Sequence, residues 1–318
     1  MTSIAAGCRT EGTGVHSVNR FVFSVPELSE AQAFYEAFGL EVRRAGEDRL
    51  DLYTSGHPHC WASVHATGET KRFEYLSLGV YADDLARMRT CISERNIGAA
   101  PHPWSDGEGL WLRSPDGTLI QLLDSPKVMP DAKSEPTSRL PAAPGQRAAS
   151  CRSDVAQVRP RRLSHVLFFS PDVLAMVCFC EEVLGLRLSD RSGDGVAFLH
   201  GVHGSDHHLV AFAKSSHAGL HHSSWDVGSI DEVGMGAEQM RQAGYDRGWG
   251  VGRHVLGSNY FHYVRDPWGS YAEYSFDIDY IPHDTVWPSA DHPAHDALHV
   301  WGPSVPDEFF INHEKSPT

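Results

Sequence analysis

The chain lacks what a membrane or nucleic-acid partner would demand. No apolar run approaches the roughly 18 residues that span a bilayer. The opening MTSIAAGCRTEGTGVHS has no basic stretch followed by an apolar one, so no secretory leader is expected. Basic residues are few, with 27 Lys and Arg against 41 Asp and Glu and a net charge of -14. That balance excludes the clustered positive charge needed to hold nucleic acid or an anionic membrane surface. Cysteine is sparse as well. The six, Cys8, Cys60, Cys91, Cys151, Cys178 and Cys180, are scattered. The one close pair, Cys178 and Cys180, would point apart on a helix, which makes a poor metal clamp. No disulfide framework is expected, and a cytoplasmic protein with reduced thiols is.

What is present reads as an ordinary globular chain, with 41% apolar and 21% charged residues. Its 318 residues suggest about two domains. Residues 126–160 are rich in Pro, Ala and Ser without apolar periodicity and read as a linker. The segments on either side resemble each other. RFVFSVPELSEAQAFYEAFGLEVRRAG (20–46) and HVLFFSPDVLAMVCFCEEVLGLRLSDR (165–191) both read as strand, Pro-acid turn, helix, Gly-Leu and a new strand. An acid beside the proline suits a helix start, and Gly39 and Gly185 suit helix ends. Each half then has a second helix signal, at 82–96 and 229–244, and closes with a strand after a turn, at 114–123 and 266–276. The expectation is an α+β internal repeat: a first module over 18–125, a second over 161–277, and a tail over 278–318. The tail is too aromatic to be plain disorder. It either covers a pocket or lies along the surface.

Most of the 20 histidines fall after residue 160, and the stretch GSDHHLVAFAKSSHAGLHHSSWDV (204–227) holds five of them. Aligning the two halves shows where potential ligands are unique to the second. His165 stands where the first half has Arg20, and Glu273 stands where it has Gln121. A third ligand is expected from the strand holding His221 and His222. Strand alternation sends that pair to opposite faces, so one of them points inward. Two histidines and a carboxylate on one face form a triad with open positions, which suits non-haem Fe(II). Mn(II) accepts the same donors, whereas zinc favours a four-coordinate site and has no redox chemistry.

The segment GRHVLGSNYFHYVRDPWGSYAEYSFD (252–277) resembles the signature of the type I extradiol ring-cleaving dioxygenases, of the vicinal oxygen chelate superfamily. The matching residues are His254, Tyr263, the Asp266-Pro267-Trp268-Gly269 turn and Glu273. The resemblance extends over 161–277, and in outline over 18–125 as the non-catalytic module. It implies paired βαβββ modules curled into open barrels, and it implies His165, His222 and Glu273 as metal ligands. It further implies His208 as the active-site acid/base, with His254 and Tyr263 flanking substrate and oxygen.

The activity implied is cleavage of a catechol-type ring next to the vicinal diol, with O2 as co-substrate, by a homo-oligomer serving aromatic catabolism. Two rivals stand beside it. One is a glyoxalase-like isomerase of the same superfamily, and the other is a protein that sequesters a small aromatic compound. His217 has no role in this reading. His262 is expected to face away from the site. Trp225, Trp249 and Trp268 are expected to pack in core or turns, and His283, His292, His295 and His299 to be solvated.

Overall fold

A computed structural model describes residues 12–137 and 142–315. The first half runs β1 (Val15–Val25), α1 (Leu28–Phe38), β2 (Glu41–Arg44), β3 (Arg49–Tyr53), β4 (Ala62–Ala66), β5 (Arg72–Val80), α2 (Ala82–Arg95), β6 (Leu110–Arg113) and β7 (Leu119–Asp124). The second runs β8 (Arg162–Ser170), α3 (Val173–Glu182), β9 (Arg187–Ser192), β10 (Val196–His200), β11 (Ser205–Asp206), β12 (Val210–Lys214), β13 (Gly219–Asp226), α4 (Ile230–Gln242), β14 (Gly248–His254), β15 (Tyr260–Arg265) and β16 (Tyr271–Phe276). The tail adds β17 (Tyr280–Ile281), β18 (Ala290–Asp291) and β19 (His299–Trp301).

The repeat read from the sequence is a repeat of topology. The first sheet has the order β2-β3-β4-β1-β5-β7-β6. The second has β9-β10-β12-β8-β13-β16-β15-β14, with β18 and β19 of the tail added at its two edges. Strand for strand the first seven positions correspond, down to the register. Arg20 pairs with Ser77 and Ser77 with Gln121 in the first sheet, while His165 pairs with Ser224 and Ser224 with Glu273 in the second. Both sheets are mixed. Their β1–β4 and β8–β12 pairs are parallel, and β1 and β8 are buried along nearly their whole length, polar residues included.

Local chemistry sets the helix ends unequally. Asp172 caps α3 by accepting from the Ala175 N–H at 3.0 Å. Glu27, one methylene longer, makes no such bond to α1. Gly39 closes α1 with φ 97° and donates to the Glu36 carbonyl. Gly185 lies beyond the end of α3, where Val183 is the cap. Its φ of 68° instead lets the backbone cross Thr13, whose carbonyl would lie 2.1 Å from an added Cβ.

One apolar core continues from the first half into the second. Phe38 stacks on Tyr274 at 4.0 Å, and Phe73 lies 4.7 Å from Phe168. The segment between the halves is irregular, as expected, yet it is held down. Val128 and Met129 donate to Ser17 Oγ, and Val158 is buried. The tail is tied in deeply as well. Glu314 accepts from the N–H groups of Phe73 and Leu220, one from each half. The buried Lys71–Asp266 ion pair also bridges the halves.

Candidate metal centre

Three adjacent central strands, β8, β13 and β16, carry the predicted ligands. Ser224 on the middle strand is register partner to both His165 and Glu273, and His222 lies two residues before it. A small residue at the shared position leaves the space into which the three longer side chains converge. The Nε2 atoms of His165 and His222 are 3.3 Å apart. Glu273 Oε2 lies 3.4 Å from the first and 3.7 Å from the second. All three residues are buried.

The ring nitrogens can be assigned from their partners. Ser164 Oγ donates to Asp206 Oδ2 at 2.6 Å, so it accepts from His165 Nδ1 at 3.2 Å. Asp206 is itself held by Arg162. His221 Nε2 lies 2.8 Å from the Phe309 carbonyl, which only accepts, so that nitrogen carries the proton. His221 Nδ1 is then the acceptor for His222 Nδ1–H at 2.7 Å. Both ligand-candidate imidazoles are thus protonated at Nδ1, leaving two Nε2 lone pairs facing each other and the carboxylate. Glu273 Oε2 accepts no hydrogen bond. Three buried acceptors and no donor meet at one point, an arrangement a cation satisfies. The spacing agrees: two donors each about 2.1 Å from an ion lie about 3.0 Å apart at a right angle and about 3.4 Å at the tetrahedral angle.

Burial, then the neighbouring His221, pushes His222 well below 6.5. His222 therefore stands in the neutral form that metal binding needs.

The triad opens onto a partly enclosed cavity. Side chains from β8, β10, β13, β14 and β15 all line it, so the sheet curls around it. His208 lines it with its ring 3.9 Å from that of His165, and it sits just before β12 rather than within a strand. Burial first, then the surrounding histidines, lowers His208 well below 6.5. His254 Nδ1 donates to the Leu298 carbonyl at 2.7 Å, so its Nε2 accepts from the Tyr263 hydroxyl at 2.9 Å. Burial, reinforced by Glu273, pushes the Tyr263 phenol well above 10. All six predicted site residues meet at this cavity or its floor.

Several expectations are corrected. His221 does not leave the site. The pairing of β13 shifts register between Leu220 and His222, so simple alternation fails and both rings line the cavity. Trp249 packs in a buried aromatic cluster, as expected, but lines the cavity as well, and Trp225 is fully buried in the core. His292 is not free in solvent but hydrogen-bonds Asp190 at 3.0 Å. His262 is absent from the cavity wall, as expected.

Other participants escaped the sequence reading. Asn259 donates to Glu273 Oε1 at 3.1 Å, and Ser164 orients His165. Neither carries a local signal beyond its closeness to a predicted ligand. Tail residues Ala297, Leu298, Phe309 and Phe310 wall the cavity.

Comparison with known proteins shows the family. Residues 162–274 match the Glyoxalase/Bleomycin resistance protein/Dioxygenase superfamily. Metapyrocatechase 2 of Cupriavidus necator is 50% identical over 302 residues, covering 94% of this chain and 93% of that protein. The chain belongs to the type I extradiol dioxygenases. In fold, this dioxygenase is similar to a Mn(II)-bound glyoxalase from Novosphingobium aromaticivorans, with a TM-score of 0.75 at 25% identity over 96% of each chain. It is also similar to a variant of homoprotocatechuate 2,3-dioxygenase from Brevibacterium fuscum, with a TM-score of 0.77 at 16% identity over 99% of this chain and 86% of that one. No helix among this dioxygenase's described residues is long and apolar enough to cross a membrane.

Proposed function

We propose that His165, His222 and Glu273 hold Fe(II), and that the cavity beside them takes a small catechol-type substrate whose ring is opened next to the vicinal diol with O2. Mn(II) fits the same donors. The observation that carries the assignment is the meeting of two imidazole lone pairs with a carboxylate oxygen that has no hydrogen-bond donor. When bound, such a cation supplies Lewis acidity toward the diol and a path for electrons between ring and dioxygen.

The chain's own residues supply the rest. His208, kept neutral by burial, is the base that takes a proton from a diol hydroxyl and the acid that returns it to the product oxygen. Tyr263 keeps its proton and gives its hydrogen bond to His254 Nε2, so the pair forms one rigid polar edge. Asn259 holds Glu273 Oε1 and leaves Oε2 facing the histidines. The apolar wall of Phe198, Trp249, Leu256, Leu298 and Phe309 excludes water and receives the flat ring. The His208, His254 and Tyr263 cluster favours oxygenase over glyoxalase-like chemistry, and the acceptor triad speaks against simple sequestration.

The same proposal takes residues 18–125 as the non-catalytic module and 161–277 as the catalytic one, in a cytoplasmic homo-oligomer. Cys60, Cys151, Cys178 and Cys180 are free thiols. Val286, Val300, Trp301, Phe310 and Ile311 leave apolar surface exposed along the tail, which association would cover.

The test is anaerobic loading with Fe(II), followed by oxygen and a panel of catechols. O2 uptake with a yellow ring-opened product is expected. Tight binding of one compound with no uptake across the panel would favour sequestration instead.

A further inference from the structure

The mechanism above uses His208 but neither His207 nor Asp190 behind it. His207 is fully buried. Its Nε2 lies 2.9 Å from Asp190 Oδ2, and its Nδ1 lies 3.1 Å from His208 Nδ1. Asp190 collects three more donors: Trp287 Nε1 at 3.1 Å, His292 Nε2 at 3.0 Å and the Ala290 N–H at 2.9 Å. A carboxylate facing four donors is an acceptor only. His207 Nε2 therefore carries a proton, its Nδ1 presents a lone pair, and His208 Nδ1 must be the donor of the contact between them. The nitrogen left bare on His208 is Nε2.

The second doublet is wired the same way. His221 is pinned through Nε2 to an acceptor, and its Nδ1 receives the Nδ1–H of His222. In each doublet the first histidine sets the tautomer of the second.

We propose that Asp190 and His207 are positioning residues for catalysis: they hold His208 in its Nδ1–H tautomer so that Nε2 is free to take the substrate's proton. The inference rests on His208 being the acid/base group. When the diol oxygen gives up its proton, the O–H bond breaks and an N–H bond forms at His208 Nε2, with no change of electron count. The positive charge created there is met by the His207 lone pair, with the Asp190 carboxylate one ring further out. Return of that proton to the product oxygen restores the starting arrangement. Because Trp287, Ala290 and His292 belong to the tail, the tail fixes the acid/base group as well as walling the cavity.

The test compares His207→Phe, His207→Gln, Asp190→Asn, His208→Phe and the His207→Phe/His208→Phe double variant, each as the metal-loaded enzyme with metal content and thermal midpoint measured. Loss of His207 is expected to lower kcat about 10–100-fold, the scale seen when an outer partner of an imidazole is removed, with KM little changed. Glutamine at 207 can accept from His208 and donate to Asp190 through its amide, so it restores most of kcat. The double variant is expected to be no slower than His208→Phe alone, because the two act as one unit. Asp190→Asn lowers kcat in the same sense and serves as the readout if the phenylalanine variant does not fold. A slow His208→Phe beside a His207→Phe of parental kcat would overturn the positioning role alone. Independent, multiplying losses in the double variant would overturn it too. Parental turnover in His208→Phe would overturn the acid/base reading and this proposal with it.

Discussion

Replacing Glu273 with Gln separates the metal-site reading from a merely structural one, because it moves two measurements in opposite directions. Glu273 is fully buried, and Oε2 has no hydrogen-bond donor. Without an ion, that oxygen sits against two imidazole lone pairs at 3.4 and 3.7 Å, an arrangement that costs stability. An amide nitrogen in its place would donate to one of those lone pairs, so the metal-free variant should melt no lower than the parent. Metal binding should suffer. Removing one partner of a buried charge pair costs about 3–5 kcal/mol, which is about 10²–10³-fold or more in affinity. At a metal concentration of about 100 times the parental Kd, the ion stabilises the parent by about 2.7 kcal/mol; the weakened variant would gain less than about 0.5 kcal/mol under the same conditions. Thermal melts with and without Fe(II) or Mn(II) under anaerobic conditions read both effects. An equal metal-induced shift in parent and variant would refute the site, as would a metal-free variant that is clearly less stable.

Three further outcomes are expected. Ser164→Ala removes the acceptor for His165 Nδ1–H, and metal affinity should fall about 10–100-fold by equilibrium dialysis while the fold is retained. Phe309→Ala should cost about 3–5 kcal/mol in urea unfolding and raise KM for the catechol, since Phe309 is both a buried packing residue and part of the cavity wall. The Asp190 carboxyl lies at about 2 against an ordinary 3.8: burial opposes this, but the donors His207, Trp287 and His292 win. A depressed carboxyl favours the folded state above the unfolded value, and that advantage goes as pH falls through the folded one. The stability lead of the parent over Asp190→Asn should thus be full above pH 3.8 and fade toward pH 2, measured by denaturant titration across that range.

By itself the sequence determined the repeat, the strand-helix-strand order of each half and His165 and Glu273 as candidate ligands, while the choice of His222 over His221 came only with the family resemblance. These rest on local signals: apolar runs, Pro-acid and glycine punctuation, and the contrast of His165 and Glu273 with Arg20 and Gln121 at matching positions. Period-2 alternation gave the wrong face for His221, because the register shift in β13 depends on the neighbouring strand. Tertiary structure alone decided which groups surround the predicted residues. Ser164, Asn259, Asp190 and the Phe309 carbonyl reach the site through contacts that are mostly far apart along the chain. The tail's role was of the same kind. Its aromatic composition said that it packs, but only the folded chain put Leu298 on His254, His292 on Asp190 and Phe309 over the cavity. A side chain's type is written locally, whereas its proton, its tautomer and its partner are set by whatever the fold brings to within 3 Å or so of it.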